Sequence, residues 1–391
     1  MATVNPERFD LSATSIATFK ACPQKFRLAY REGLRLDEDT DAQRMGTNWH
    51  ALHEVYHNAY TQQQDHDAAF AAAVDHLNEQ YATVPDTKTP EEWETERQVL
   101  LVSFMVYQWY WADDPYEVLA SEVSFDLPLH HPKVGLPLLT SEVVRRGKID
   151  HVVRWHGMVG NLERKSTSKA IDASSDFWDR SQKDTQVSMY ALAFRDMQEH
   201  GLEHYGIHGV EPHERVGNTL YDVWRKPTIK PAKLTQKDTT TLIETGSYCD
   251  VEFAVVVEAE DQITVDGEPA EVEVGKSGKP AIRETSAMFA ARLTADMQER
   301  PEHYFARKEI PRTDQNIRKF RTELFNIYQA QKLYANTGCW FENESQCRAT
   351  FKCAYIPICY GPGADAVCDG ETTPEGFKRI YTDITIGDSD E

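Results

Sequence analysis

With 391 residues, 40% of them hydrophobic and 27% charged, the chain has material for two ordinary domains or for one core with large insertions; this composition excludes a disordered class. No apolar run approaches the roughly 18–20 residues that span a bilayer, and MATVNPERFDLSAT lacks the charged-then-apolar pattern of a signal peptide, so an intracellular, cytoplasmic protein without membrane contact is expected. The formal net charge of −21 works against nucleic acid as a partner unless charge is segregated, and it is: acid gathers in Asp37–Asp41, Glu91–Glu96, Glu258–Glu273 and Asp388–Glu391, base in Arg145-Arg146-Lys148, Arg164-Lys165-Lys169 and Arg225–Lys237. These runs read equally well as solvated faces.

In chain order, Leu11–Leu34 forms a first unit. Ser12 or Ser15 can cap a helix carrying Ile16 and Phe19, Pro23 can open a second with Phe26 and Tyr30, and Cys22 lies at the joint. GTNWHALHEVYHNAY (Gly46–Tyr60) has helical spacing, and its His50, His53 and His57 stand on adjacent turns. A lone helical histidine is usually structural; three in a column make one of them a candidate ligand. His66–Tyr81 and Glu91–Trp111 are core helices, with stripes Phe70, Val74, Leu77, Tyr81 and Leu100, Phe104, Tyr107, Trp111. Val118–Leu129 alternates as a strand.

Lys148–Trp155 and Met158–Lys165 then read as two strands around a His156-Gly157 turn. Side chains alternate along a strand, so Glu163 and Lys165 share a face, and a register that brings Asp150 beside them gathers two carboxylates and an ammonium in an apolar hairpin. Such a group is costly to desolvate unless something binds there. Paired hard oxygens suit Mg²⁺ or Mn²⁺, and a nearby lysine can orient a nucleophile or stabilise a pentavalent phosphorus. The same residues on a solvated face would mean nothing.

Asp184–His200 is an amphipathic helix with Val187, Ala191 and Phe194 inward and Gln186 and Tyr190 on a neighbouring face. Asp250–Glu284 looks β-rich, with turns at Val265-Asp266-Gly267-Glu268 and Lys276-Ser277-Gly278-Lys279. GKSGK there is no phosphate loop, since its glycines are too close and Pro280 replaces the hydroxyl residue. A long helix follows Thr313 with Ile317, Phe320, Leu324 and Ile327 inward, and the last two dozen residues are polar. Strands interleaved with helices predict an α/β fold, a mixed sheet flanked by helices.

The opening helix ending in CPQKFRLAY, then GTNWHALHE, RGKIDHVV, NLERKSTS and DTQVSMYAL fall in an order that resembles the PD-(D/E)XK nuclease superfamily, in particular its RecB-like exonuclease branch of phage and CRISPR-associated nucleases with iron–sulfur clusters. The resemblance implies a restriction-endonuclease-like core with a helical N-terminal insertion and a β-rich insertion. It implies a single nuclease domain over 1–380 (cluster half 11–35, helical region 46–115, catalytic core 118–210, β-rich insertion 250–285, C-terminal helix and second cluster half 303–368) and an acidic tail, 381–391. It further implies a metal-dependent exodeoxyribonuclease of repair or recombination, located in the host cytoplasm if phage-encoded. Asp150 and Glu163 would be metal ligands, His50 a further one, Lys165 the catalytic lysine, and Gln186 and Tyr190 the polar helix beside the centre. An exonuclease on single strands needs a basic, aromatic-lined channel, for which Arg145, Arg146, Arg164, Lys169, Trp178 and Arg180 are candidates. DNA, single-stranded or at duplex ends, is the implied partner.

Seven cysteines, an odd number, argue against a disulfide framework. Cys347, Cys353 and Cys359 recur with five intervening residues each, and the family pattern joins such a trio to the cysteine before the N-terminal proline, Cys22. Four thiolates can hold a [4Fe–4S] cluster; zinc is the alternative, although C-x₂₋₄-C pairs are lacking. Cys339 and Cys368 could substitute for one ligand, and Cys249 reads as a plain thiol. Against the nuclease stand two other readings, a silent DNA-binding or interaction protein of the same fold and a zinc-stabilised protein without catalysis.

Overall fold

The computed structural model of the protein describes residues 8–37, 41–211, 213–259, 261–275, 279–349, 352–361, 367 and 372–380. After a short strand β1 (Phe9–Leu11), Ser12 caps α1 (Ala13–Ala21) reciprocally with Ser15, each side chain bonding the other's backbone N–H. Pro23 then opens α2 (Pro23–Phe26), which passes into a π turn at Arg27–Arg31. Cys22 ends the first helix and caps the second, as its position at the joint predicts. β2 (Leu34–Leu36) follows.

The next three helices are α3 (Asp41–Gln63), α4 (His66–Gln80) and α5 (Pro90–Tyr110). Asp65 caps α4, and Thr89 with Glu92 forms a capping box ahead of Pro90 in α5. The predicted α4 stripe is rotated: Ala69, Ala73, Leu77 and Tyr81 are buried, and Phe70 and Val74 lie half in, because alanines let the helix approach its neighbours closely.

β3 (Glu117–Pro128), β4 (Val143–Trp155) and β5 (Met158–Thr167) come next, then α6 (Asp176–Ser181), α7 (Thr185–His200), β6 (Arg215–Arg225) and α8 (Gln236–Thr245). The predicted hairpin is β4–β5, five residues longer at its start than the sequence suggests. It turns through His156 (φ 47°) and Gly157 (φ 72°), both left-handed, as a tight two-residue hairpin turn requires.

Short strands β7 (Ser247–Tyr248), β8 (Val251–Glu252), β9 (Val255–Ala259), β10 (Gln262–Val265), β11 (Glu268–Pro269), β12 (Val272–Val274) and β13 (Pro280–Ile282) make up the expected β-rich stretch. They surround a small core of Phe253, Ile263, Val265 and Ile282 packed on Leu242 and Met288. The turn at Asp266-Gly267 is present, with φ of 52° and 81°; residues 276–278 of the second predicted turn lie outside the described residues. The chain closes with α9 (Ser286–Glu299), β14 (Phe305–Ile310), α10 (Asp314–Thr337), α11 (Ile356–Cys359) and β15 (Phe377–Arg379).

The central sheet runs β1-β4-β5-β6-β14, with β3 also pairing with β4. β1/β4 and β5/β6 are parallel, the other pairs antiparallel, so the sheet is mixed as predicted. Helices α7 and α10 cover one face through Phe194, Met197, Leu324 and Tyr328; α3, α5 and α9 cover the other through Trp49, Phe104 and Phe289 on Trp224 and Phe305. Each large side chain so buried contributes about 1.5–3 kcal/mol of transfer free energy. Strands β6 and β14 and helices α8 and α9 are absent from the sequence reading. β6 is buried on both faces from Thr219 to Trp224, so it lacks alternation. Among the described residues no helix is long and apolar enough to cross a membrane.

Candidate active site

β4 pairs with β3 along one edge, so β1 and β5 must share the other. β5 holds it at 151–155 and β1 at 143–145. The β4–β5 ladder ends at His151↔Leu162, one residue before Asp150 and Glu163. There the two strands part, and the predicted acids stand at the fork.

Glu163 is 6% exposed. One of its oxygens lies 2.7 Å from Lys165 Nζ, and the other accepts from Gln186 Nε2 at 2.7 Å. Gln186 Oε1 in turn accepts from Lys165 Nζ at 2.8 Å, which closes a ring of three side chains. Gln186 also donates to Tyr190 Oη at 3.3 Å, and Tyr190 donates to the carbonyl of Lys148 at 2.9 Å. That last bond satisfies a β4 carbonyl in the stretch where the fork leaves the edge away from β3 without a neighbouring strand. Gly147 makes room for it, since a Cβ there would sit 2.6 Å from the Phe125 ring and 3.1 Å from the Tyr190 ring.

Asp150 meets α3 through His50, whose Nδ1 is 3.3 Å from a carboxylate oxygen. α3 can come this close because Gly46, one turn before His50, has no side chain: a Cβ would lie 3.2 Å from Ser166 Oγ on β5. Burial raises the Asp150 pKa, but His50 outweighs it and the net shift is downward. Burial also pushes Glu163 up, and the Asp150 charge adds to this while Lys165 opposes it, with a net rise. For Lys165 burial favours the neutral amine, yet Glu163 prevails and the ammonium is retained. The two acids therefore feel one another across the fork. Two carboxylates and an imidazole have the donor chemistry of a Mg²⁺ or Mn²⁺ site, although no group of three His, Cys, Asp or Glu side chains among the described residues is already drawn together around one point.

The other histidines of the column have different work. His53 is fully buried, with both ring nitrogens unbonded and the rings of Trp49, Tyr107 and Phe104 4.7, 4.6 and 5.2 Å away; burial holds it neutral, far below the usual imidazole range. His57 bonds Tyr116 Oη at 2.9 Å and Arg164 Nη2 at 3.0 Å, and burial lowers its pKa as well.

The expected basic channel needs correction. Arg164 lies between Glu163 and Lys165 and so points to the opposite face, where it is 2% exposed under α3. Arg145 is 1% exposed and is bonded to Asp196 and to the carbonyl of Pro128. Trp178 is buried too, its Nε1 donating to the carbonyl of Ile171 at 2.9 Å. Arg146 reaches the surface but is bonded to both Asp10 and Asp126. Lys169 and Arg180 are exposed.

Cys22 and the C-terminal thiols lie in two segments of the chain that touch, although no three cysteines among the described residues are already drawn together around one point. Burial, Glu342 and then the charges of Cys22, Cys353 and Cys347 push the Cys359 thiol up to about 12. All four are free thiols. The halves are tied by Gln24 N–H to the carbonyl of Phe341 at 3.2 Å and Asn343 Nδ2 to that of Ala21 at 2.8 Å. Cys353 and Cys359 rest on Leu28, Leu34, Tyr355, Ile358 and Val367. Cys339 is exposed, Cys249 half-buried, and Cys368 lies outside the described residues.

Asp184 was not singled out as a site residue. It caps α7 by accepting from Gln186 N at 2.7 Å and receives Tyr221 Oη at 2.8 Å, so it sets where Gln186 enters the ring. An aspartate one residue before the first helical position was the available signal.

No curated protein matches the chain. A family model for the PD-(D/E)XK nuclease superfamily matches residues 10–360, from β1 to just past Cys359. The chain belongs to the PD-(D/E)XK nuclease superfamily, and its mixed sheet flanked by helices is that superfamily's restriction-endonuclease-like core.

Proposed function

We propose that the protein is an exonuclease that hydrolyses phosphodiester bonds at DNA ends or in single strands. Membership in the superfamily makes it a metal-dependent nuclease; the restriction to ends and single strands is the further step. The observation that carries the catalytic assignment is the closed Glu163–Lys165–Gln186 ring at the fork of β4 and β5. Asp150, Glu163 and His50 are the residues that would hold Mg²⁺ or Mn²⁺, which when bound supplies charge neutralisation and a more acidic water. Lys165, kept charged by Glu163, offers a compact cation to a phosphate oxygen or to the attacking water. Gln186 fixes the rotamers of both partners, and Tyr190 holds β4 against them.

End-labelled linear DNA, single- and double-stranded, is expected to be degraded with Mg²⁺ or Mn²⁺, and a covalently closed single-stranded circle to be spared. Cleavage of the circle would overturn the exonuclease reading. Failure on every substrate would favour the silent binding protein.

We further propose that Cys22, Cys347, Cys353 and Cys359 hold a [4Fe–4S] cluster. The cysteine spacing, the influence of the other three thiols on Cys359 and the apolar wall beside Cys353 and Cys359 support this reading. Anaerobically purified protein is expected to be brown and to contain iron and sulfide, and Cys22→Ser to lose both and melt at lower temperature. A colourless preparation containing zinc would replace the cluster with a zinc site.

A further inference from the structure

The stretch of β4 from Arg146 to Asp150 has no strand beside it on the edge where β1 and β5 separate. Lys148 stands in that stretch, two residues from Asp150. Its backbone is anchored, since its carbonyl takes the bond from Tyr190 and thereby connects to Gln186, Glu163 and Lys165. Its side chain is 56% exposed and is paired with Glu122 of β3. Glu122 is itself unusual, for its φ of 57° is a left-handed backbone that side-chain-bearing residues rarely adopt, and it lies between Ser121 and Val123, which pair with His151 and Ile149 on either side of Asp150. The other Lys and Arg side chains of this hairpin are committed: Arg145 and Arg164 are inside the protein, Arg146 and Arg154 are each held by two carboxylates, and Lys165 belongs to the ring.

We propose that Lys148 binds a backbone phosphate next to the one being cut, and that Glu122 keeps it in reserve by an ion pair that the incoming strand displaces; this rests on the nuclease reading above. An exposed pair is weak, so the exchange costs little. A chain with net charge −21 needs such local cations to hold DNA at all, and an acid poised beside one selects for strands that bring a phosphate to that spot.

The experiment is binding of a fluorescein-labelled single-stranded oligonucleotide, with Ca²⁺ in place of Mg²⁺, across a salt series, together with steady-state digestion in Mg²⁺. Lys148→Ala is expected to weaken binding severalfold for every sequence, to reduce the log–log salt slope by about 0.7, and to raise KM with kcat nearly unchanged. Lys148→Arg is expected to retain the slope. Glu122→Gln should bind more tightly than wild type, and the double variant should resemble Lys148→Ala. If wild type cleaves and Lys148→Ala shows the same slope and KM, the inference is overturned and the nuclease reading stands; weaker binding by a folded Glu122→Gln overturns the displacement step. Wild type that neither binds nor cleaves overturns both.

Discussion

Lys165→Ala is expected to lower the rate of DNA cleavage by at least about 10²–10³-fold, the usual cost of removing a preorganised group that meets developing charge. The protein should still fold, because Lys165 is at the rim of the fork, with its side chain 30% exposed, whereas the strand that carries it is held by β6 along its whole length. Glu163 keeps its bond from Gln186 in the variant, so the carboxylate is not left without a partner. Far-UV circular dichroism and a cooperative melt establish the fold; timed digestion of labelled DNA measures the loss. Wild-type digestion by a folded Lys165→Ala protein would remove the ring from catalysis and with it the assignment of the site. Lys165→Arg is expected to recover little, since a planar guanidinium does not replace a compact ammonium between two oxygens.

Asp196→Ala is expected to cost about 3–5 kcal/mol of stability, with no direct effect on the fork. Asp196, at 2% exposure on α7, takes one bond from Arg145 and another from Arg321 at 2.7 Å. Removing it leaves the Arg145 guanidinium, 1% exposed, without its carboxylate in the core between β4 and α7. Arg321→Ala should cost far less, within the ~0–1 kcal/mol of surface pairs, because its side chain is 37% exposed. Urea unfolding of the two variants checks the difference. A loss below about 1 kcal/mol for Asp196→Ala would mean that Arg145 finds other partners or reaches water.

The hairpin was legible because its two-residue period and its misplaced charges are local properties of β4 and β5. The Gln186–Tyr190 pair was legible for the same reason on a helix. What the local pattern could not contain is the fork, which depends on β1 arriving from the N-terminus to take the other half of the β4 edge. Arg164 was misplaced although alternation alone, with Glu163 and Lys165 on the site, assigns it to the opposite face. Trp178 was misplaced for a different reason: its indole N–H is satisfied by Ile171 seven residues away, a loop contact with no periodic trace. Asp222 and Arg307, a buried pair on the far side of the sheet, were invisible because β6 and β14 themselves were missed. The cysteine spacing was readable in sequence, whereas the contact of the C-terminal segment with the Cys22 segment, made by Asn343 on Ala21, depends on the fold returning its C-terminal part to its beginning.

The place where the β4–β5 ladder stops also acts as a ruler. Distance along each strand is counted from the His156-Gly157 turn, and Asp150 and Glu163 are each the sixth residue out from it. A single residue inserted into one arm between the turn and the fork would advance only one of the acids and reverse the faces of that arm beyond the insertion. Length on this segment is thus as much a part of the chemistry as the side chains are, and the turn at its far end, six residues from either acid, is where that length is set.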